Sequence, residues 1–378
     1  MLVLRCGAAA FAAAAACMTG SVHPASAQVT VLVATHHEIE DIDADSSWLV
    51  WRHDRGPRRR QPSCVTVIRR RSWATGALAT LYRCTTEDLP EEMAVTGSTV
   101  VWTRNVLEFG GCCDSEFDMR LRRVGSRTPL DRAYRQFGCG GDELGPLDAY
   151  AGMAAYTKSI WTSTFCPGNP DTGRDSMTGG DVRLFRARSG SPSVIAGTPP
   201  AAFLALSPTR LVLVPYDLAA GTINFPPPPK PEVLVWSLDS RARERTIPET
   251  GTIAAVAIRK AHLAVLVSDG SGNYRIDRFI ASTGAADGSS AVPGSVQPQL
   301  AMWRAFVVYA AGHTVRALNT ATDRTRIVAR IRRRPYDVLA VRGRAIWLSA
   351  GPLLSRISSA PIRQRQAVRK TGAFARGS

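Results

Sequence analysis

Seven times along the chain the same pattern returns: an apolar–x–apolar triplet, a turn of polar residues or glycine, then a continuous apolar run. The copies are Ile42–Ala44 with Leu49–Trp51, Met93–Val95 with Val100–Trp102, Leu147–Ala149 with Ala154–Tyr156, and Leu204–Leu206 with Leu211–Leu213. Three more are Val256–Ile258 with Leu263–Val265, Leu300–Met302 with Val307–Tyr309, and Leu339–Val341 with Ile346–Leu348. The third residues of the triplets stand at 44, 95, 149, 206, 258, 302 and 341, so the copies recur every 39 to 57 residues. A unit of that size buries its apolar surface only by stacking on its neighbours.

Within a copy, the alternating triplet predicts a short strand and Thr96-Gly97-Ser98 or Ser207-Pro208 a tight turn. The apolar run predicts a second strand buried on both faces. Residues 181–190, 233–240, 274–284 and 315–320 read as third strands, and residues 77–82 and 325–329 as weaker fourth strands. The expectation is an all-β fold, a single seven-bladed β-propeller of four-stranded antiparallel blades over residues 28–358. The seventh copy supplies three strands before the chain turns polar, and Val29–Ala34 is available as its outer strand, which closes the ring. A pair of β-sandwiches is the competing architecture.

The repeat and its Ser-Gly and Thr-Gly turns at 189–190 and 283–284 resemble the secreted bacterial β-propellers of the WD40-like and TolB-like kind. The resemblance implies the fold and no partner. The Gly-His and Trp-Asp dipeptides that mark true WD40 blades are not repeated here: Gly-His occurs once, at Gly312-His313, and Trp-Asp is absent.

The chain of 378 residues is 45% apolar and 21% charged, which excludes disorder throughout, a collagen-like repeat and a multi-pass membrane protein. Its net charge is +16, and four lysines (158, 230, 260 and 370) leave 43 of the 47 basic residues as arginine. A bias that lopsided can come from the coding sequence, so no nucleic-acid partner is inferred.

Residues 1–27 read as a signal peptide, with Arg5, an alanine-rich run over Gly7–Met18 and Ala25-Ser26-Ala27 before a cut at Gln28. The rival reading makes Cys17 a lipid-anchored cysteine. No later stretch is long and apolar enough to span a bilayer, so the expected location is secreted or envelope-associated. Past the signal, six cysteines remain, Cys64, Cys84, Cys112, Cys113, Cys139 and Cys166. Export makes them disulfide partners, expected as Cys64 with Cys84 and the other four among themselves in an order left open.

In a four-stranded antiparallel blade, the connection from second to third strand and the link to the next blade lie on one face. The connections in copies one to four are long, over residues 53–63, 103–116, 157–180 and 215–232. Long loops on a rigid scaffold are where binding sites sit, and all six cysteines fall on that face. The loops carry Arg55, Arg58, Arg59, Arg60, Trp161, Phe165, Phe225 and Lys230, with Pro226–Pro229 between the last two. Basic and aromatic groups together suit a protein, a peptide or an acidic envelope polymer.

Other clusters carry weaker signals. Asp41, Asp43 and Asp45 imitate the start of a calcium loop, but Ser46 replaces its glycine and Arg52 its bidentate glutamate. His36, His37, Glu38 and Glu40 form a possible metal cluster. Residues 359–378 carry Arg363, Arg365, Arg369, Lys370 and Arg376 with no acid, a basic tail. No nucleophile, zinc or nucleotide motif occurs, and no catalytic residue and no cofactor is expected. The function inferred is a non-catalytic binding module, with an extracellular hydrolase or lyase acting on acidic glycans as the alternative. Carboxylates with a histidine in the central funnel would favour the enzyme, and apolar strand ends alone the binding module.

Overall fold

The computed structural model describes residues 28–54, 66–83, 88–97, 99–108, 116–123, 129–136, 140–163, 175–186, 191–220, 225–350 and 354–363. Residues 1–27, the cysteines at 64, 84, 112, 113, 139 and 166, and the tail from 364 onward lie outside the described residues.

β1 (Thr30–Thr35) precedes a sheet of β2 (Ile39–Ala44), β3 (Trp48–Asp54), β4 (Thr66–Ser72) and β5 (Leu78–Arg83). Next come β6 (Asp88–Thr96), β7 (Thr99–Glu108), β8 (Glu116–Arg123), β9 (Asp131–Gln136), β10 (Gly140–Tyr150), β11 (Met153–Ser163), β12 (Asp175–Arg186) and β13 (Ser193–Val194), all in one sheet. β14 (Ala201–Leu206), β15 (Arg210–Pro215), β16 (Glu232–Ser237) and β17 (Arg243–Pro248) form a third. β18 (Thr252–Arg259), β19 (His262–Ser268), β20 (Tyr274–Ile280) and β21 (Ala285–Val292) form a fourth. β22 (Ala301–Trp303), β23 (Phe306–Ala311), β24 (Thr314–Asn319) and β25 (Arg324–Arg330) form a fifth. The last holds β26 (Pro335–Val341), β27 (Arg344–Ser349) and β28 (Ser355–Pro361), with β1 paired antiparallel to β28 from Thr30↔Ser359 to Thr35↔Ser355.

The sheets stand in a propeller arrangement. Each repeat triplet lies in the inner strand of a group of four, and each apolar run in the next strand. Val50, Val101, Ala155, Val212, Val265, Val308 and Ile346 are wholly inaccessible to solvent. Strands apolar on both faces pack sheet against sheet. Val212, Val214 and Val235 meet Ile253, Val256 and Val265, and Ile346, Leu348 and Ile357 meet Ile42, Leu49 and Trp51. At ~25 cal/mol per Å² of apolar surface removed from water, such contacts are the main stabilising term.

The expected count of seven separate four-stranded blades is corrected to six hydrogen-bonded sheets, five of four strands and one of eight. The extra join is made where Gly140 and Gly141 of β10 pair with Gln136 and Arg135 of β9. Backbones approach there because the glycines lack side chains. A Cβ on Gly141 would stand 2.1 Å from the Tyr134 carbonyl oxygen, and one on Gly140 2.6 Å from that of Trp161. Both also have positive φ, +124° and +79°, which favours glycine. Arg135 clamps the join. Its buried guanidinium pairs with Glu143 of β10 at 2.6 Å and Asp175 of β12 at 3.7 Å, and lies over the Trp161 ring of β11 at 3.5 Å.

Arg135, 5% exposed, is the shared cation of the wholly buried Asp175 and the partly exposed Glu143. Arg135→Ala is expected to cost about 3–5 kcal/mol in urea unfolding, and Gly141→Ala to lower the melting temperature without lowering β content by circular dichroism.

Candidate functional site

The inner strands surround a channel with a cavity of about 800 Å³. Its wall is mostly the aliphatic side chains of the triplets, interrupted by Asp43, Asp148, Asp337 and Gln299. The aspartates occupy this wall because Asp43 and Asp148 are the middle residues of two triplets, a position held by alanine in the other five. Each carboxylate reaches across to the next strand group. Asp43 accepts from the Val95 N–H at 2.5 Å and Asp148 from the Leu206 N–H at 2.6 Å. Asp337 accepts from the Ile42 N–H at 3.0 Å, joining the last sheet to the first. At the turn below, Asp45 accepts from Ser47 at 2.7 Å and Trp48 at 2.8 Å, and also from Gly97 of the neighbouring sheet.

Burial raises the pKa of these groups. Asp148 is pushed up to about 6, against the pull of the Leu206 and Ala149 N–H groups. Asp337 rises to about 7, through burial and then the charge of Asp43. Asp43 and Asp41 stand well above the usual carboxylate range, Asp41 through burial and then Asp337. Asp43 and Asp45 thus tie the first sheet to the second through Val95 and Gly97. Among the described residues no group of three His, Cys, Asp or Glu side chains is placed to hold a metal ion. Glu40 pairs with Arg52 at 3.0 Å, and His37 stacks on His53 with ring centroids 5.4 Å apart.

The two mouths differ in charge. On the face of the long connections a second cavity, about 450 Å³, is lined by Glu40, Asp41 and Glu92 against Arg52. On the opposite face, where the two-residue turns lie, the channel opens between Arg259, Arg342, Tyr150 and Trp303.

Of the sequence-derived candidates, Phe225 is 72% exposed. It sits on a connection that folds back on itself. Tyr216 bridges Pro229, the Asp217 N–H donates to the Pro228 carbonyl at 2.8 Å, and the Lys230 N–H to the Pro215 carbonyl at 2.8 Å. Pro228 and Pro229 therefore run back along residues 215–217, and Lys230 is half-buried beside them. Trp161 is corrected: it is 2% exposed, in the core beneath Arg135. The alternation of β11 turns it inward, where its ring gives the guanidinium an apolar, polarisable face. Arg55, Arg58, Arg59, Arg60 and Phe165 lie outside the described residues. The funnel matches neither simple expectation: carboxylates line it, among apolar strand residues, and none of the described lining residues is a histidine. His262 instead faces Asp287 at 3.6 Å, outside the channel. Sequence reasoning missed Asp148 and Asp337 and weighed Asp43 only as part of a calcium loop; for Asp43 and Asp148 the signal was an acid in a triplet position otherwise held by alanine.

No family model and no curated protein matches the chain. Solved structures do. A chain of the Mitotic Checkpoint Complex is similar at a TM-score of 0.53 and 11% identity, covering 96% of this chain and 98% of that one. The computationally designed Ika8 protein matches at a TM-score of 0.49 and 13% identity, over 86% and 98% of the two chains. An uncharacterized protein from Listeria monocytogenes matches at 0.45 and 6%, over 82% and 92%. At 11% identity the likeness to the Mitotic Checkpoint Complex chain speaks to the fold alone.

A carboxyl whose pKa is raised on folding holds more protons folded than unfolded between about pH 4 and its folded value, so stability falls as pH rises through that window. For Asp148 the window closes near pH 6. Relative to Asp148→Asn, the parent chain is expected to lose on the order of 2–3 kcal/mol between about pH 4 and about pH 7 in denaturant titrations.

Proposed function

We propose that this chain is an exported, non-catalytic β-propeller of seven blades that holds a protein or peptide on its loop-bearing face. In this reading the eight-stranded sheet acts as two blades, and β1 closes the ring. The support is that its halves pack on each other as other neighbours do, Ala94, Val101 and Ala133 against Leu144, Tyr156 and Phe185.

The observation that carries the binding reading is Phe225, a large aromatic 72% exposed a few residues before a backbone pairing of 215–217 with 228–230. Rigid exposed aromatics bind partners at little ordering cost. Tyr134 and Ile160, 48% and 43% exposed, lie in the loop-proximal halves of β9 and β11. A protein or peptide is favoured over an acidic polymer here because, among the described residues of this mouth, three carboxylates stand with one arginine. The test passes native envelope extract over the immobilised chain at low and high salt. A protein retained through the salt wash, and held at least tenfold more weakly by Phe225→Ala, is the expected outcome. Retention lost entirely with salt, or indifferent to Phe225, overturns the reading.

A second reading, a hydrolase or lyase acting on acidic glycans, draws on Asp148 and Asp337. Their raised pKa values, about 6 and about 7, lie where a general acid works. Their bonds to inter-sheet N–H groups weigh against it, since those carboxylates hold neighbouring strands. Turnover of acidic oligosaccharides that disappears in Asp148→Asn and Asp337→Asn would favour this second reading.

A further inference from the structure

The face opposite the long loops carries a second set of groups that the loop-face reading does not use. The turns β18–β19, β22–β23 and β26–β27 have the same register, closed by the pairs Arg259↔His262, Trp303↔Phe306 and Val341↔Arg344. The first turn residue in each is basic: Lys260, Arg304 and Arg342. All three adopt the left-handed conformation, at φ of 56°, 54° and 52°. That conformation suits glycine, asparagine or aspartate and is costly for a long side chain. Three consecutive strand groups thus accept strain to set a cation at one height around the channel.

Arg259 stands beside them in the channel mouth, over the Tyr150 ring at 4.8 Å, and Arg304 lies over the Trp303 ring at 4.7 Å. Arg342 donates to the Ser46 carbonyl at 3.5 Å. Among the described residues none of Arg259, Lys260, Arg304 and Arg342 forms an ion pair. The acid at this mouth, Asp45, is engaged by the N–H groups of Ser47, Trp48 and Gly97. Arg259 and Arg342 therefore line the mouth of a cavity of about 800 Å³, Lys260 and Arg304 stand on the turns beside it, and no described carboxylate lies within ion-pair distance of any of the four.

We propose that this mouth binds the end of a carboxylated sugar chain, a uronic-acid polymer, with a uronate carboxylate between Arg259 and Arg342 and the sugar ring inside the channel. Guanidinium groups match a carboxylate through paired N–H donors. Deeper in, Asp43, Asp148 and Asp337 face the cavity as acceptors, and the aliphatic wall covers the apolar faces of a ring. Sugar hydroxyls donate to such acceptors. A phosphate polymer brings negative charge up to the same carboxylates and stays at the rim. The site is independent of Phe225 and of the loop face.

Isothermal titration of the purified chain with a uronic-acid oligosaccharide, a neutral oligosaccharide of equal length and polyphosphate tests this. The uronate is expected to bind, the neutral sugar at least tenfold more weakly, and Arg259→Gln with Arg342→Gln to weaken uronate binding at least tenfold. Should that double variant lose its melting transition, Lys260→Gln with Arg304→Gln, both at exposed turn positions, is expected to weaken it about threefold. Equal affinity for the neutral sugar, tighter binding of polyphosphate, or no effect of either double variant overturns the proposal.

Discussion

Leu211, Val212, Leu213 and Val214 of β15 are all wholly buried, so one strand demands apolar cover on both of its faces. The same holds for β19, where Leu263 through Val267 are inaccessible to solvent. A sheet built on such a strand has to lie between two others, and a chain of such sheets arranges itself around an axis. The inner strands then meet along a narrow channel, where packing is tightest and polar groups need partners.

The inter-sheet aspartates answer that need. Backbone N–H groups of one inner strand have no strand partner on the side facing its neighbour, and an unpaired buried donor is expensive. Asp43, Asp148 and Asp337 supply the acceptors, at 2.5, 2.6 and 3.0 Å. Burial makes these carboxylates reluctant acids, and the same groups give the channel a polar wall. In the proposed sugar site, one set of side chains would serve both structure and recognition.

Among the described residues that line the two mouths, charge is unevenly divided. The loop-side mouth gathers Glu40, Asp41 and Glu92, while the turn-side mouth presents Arg259 and Arg342. Net charge said nothing of this polarity, because strand direction sends alternate ends of the sequence pattern to opposite faces. An acidic partner and a neutral or basic one would meet different ends of one channel.

The repeat made the strands legible, since a period-two triplet followed by an apolar run admits few other arrangements. β20 and β24 fall within or beside the segments read as third strands, and β1 pairs where an outer strand was wanted. Phe225 was named as a candidate because it falls in the long connection over residues 215–232. The sequence by itself thus determined the all-β class, the repeated unit and the face bearing the long loops, because each rests on local periodicity and connection length. Tertiary structure alone decided that Gly140 and Gly141 weld two strand groups into one sheet, that Trp161 goes inward beneath Arg135, and that Asp43 reaches Val95. Those outcomes depend on distances between residues remote in the chain, which no local pattern encodes.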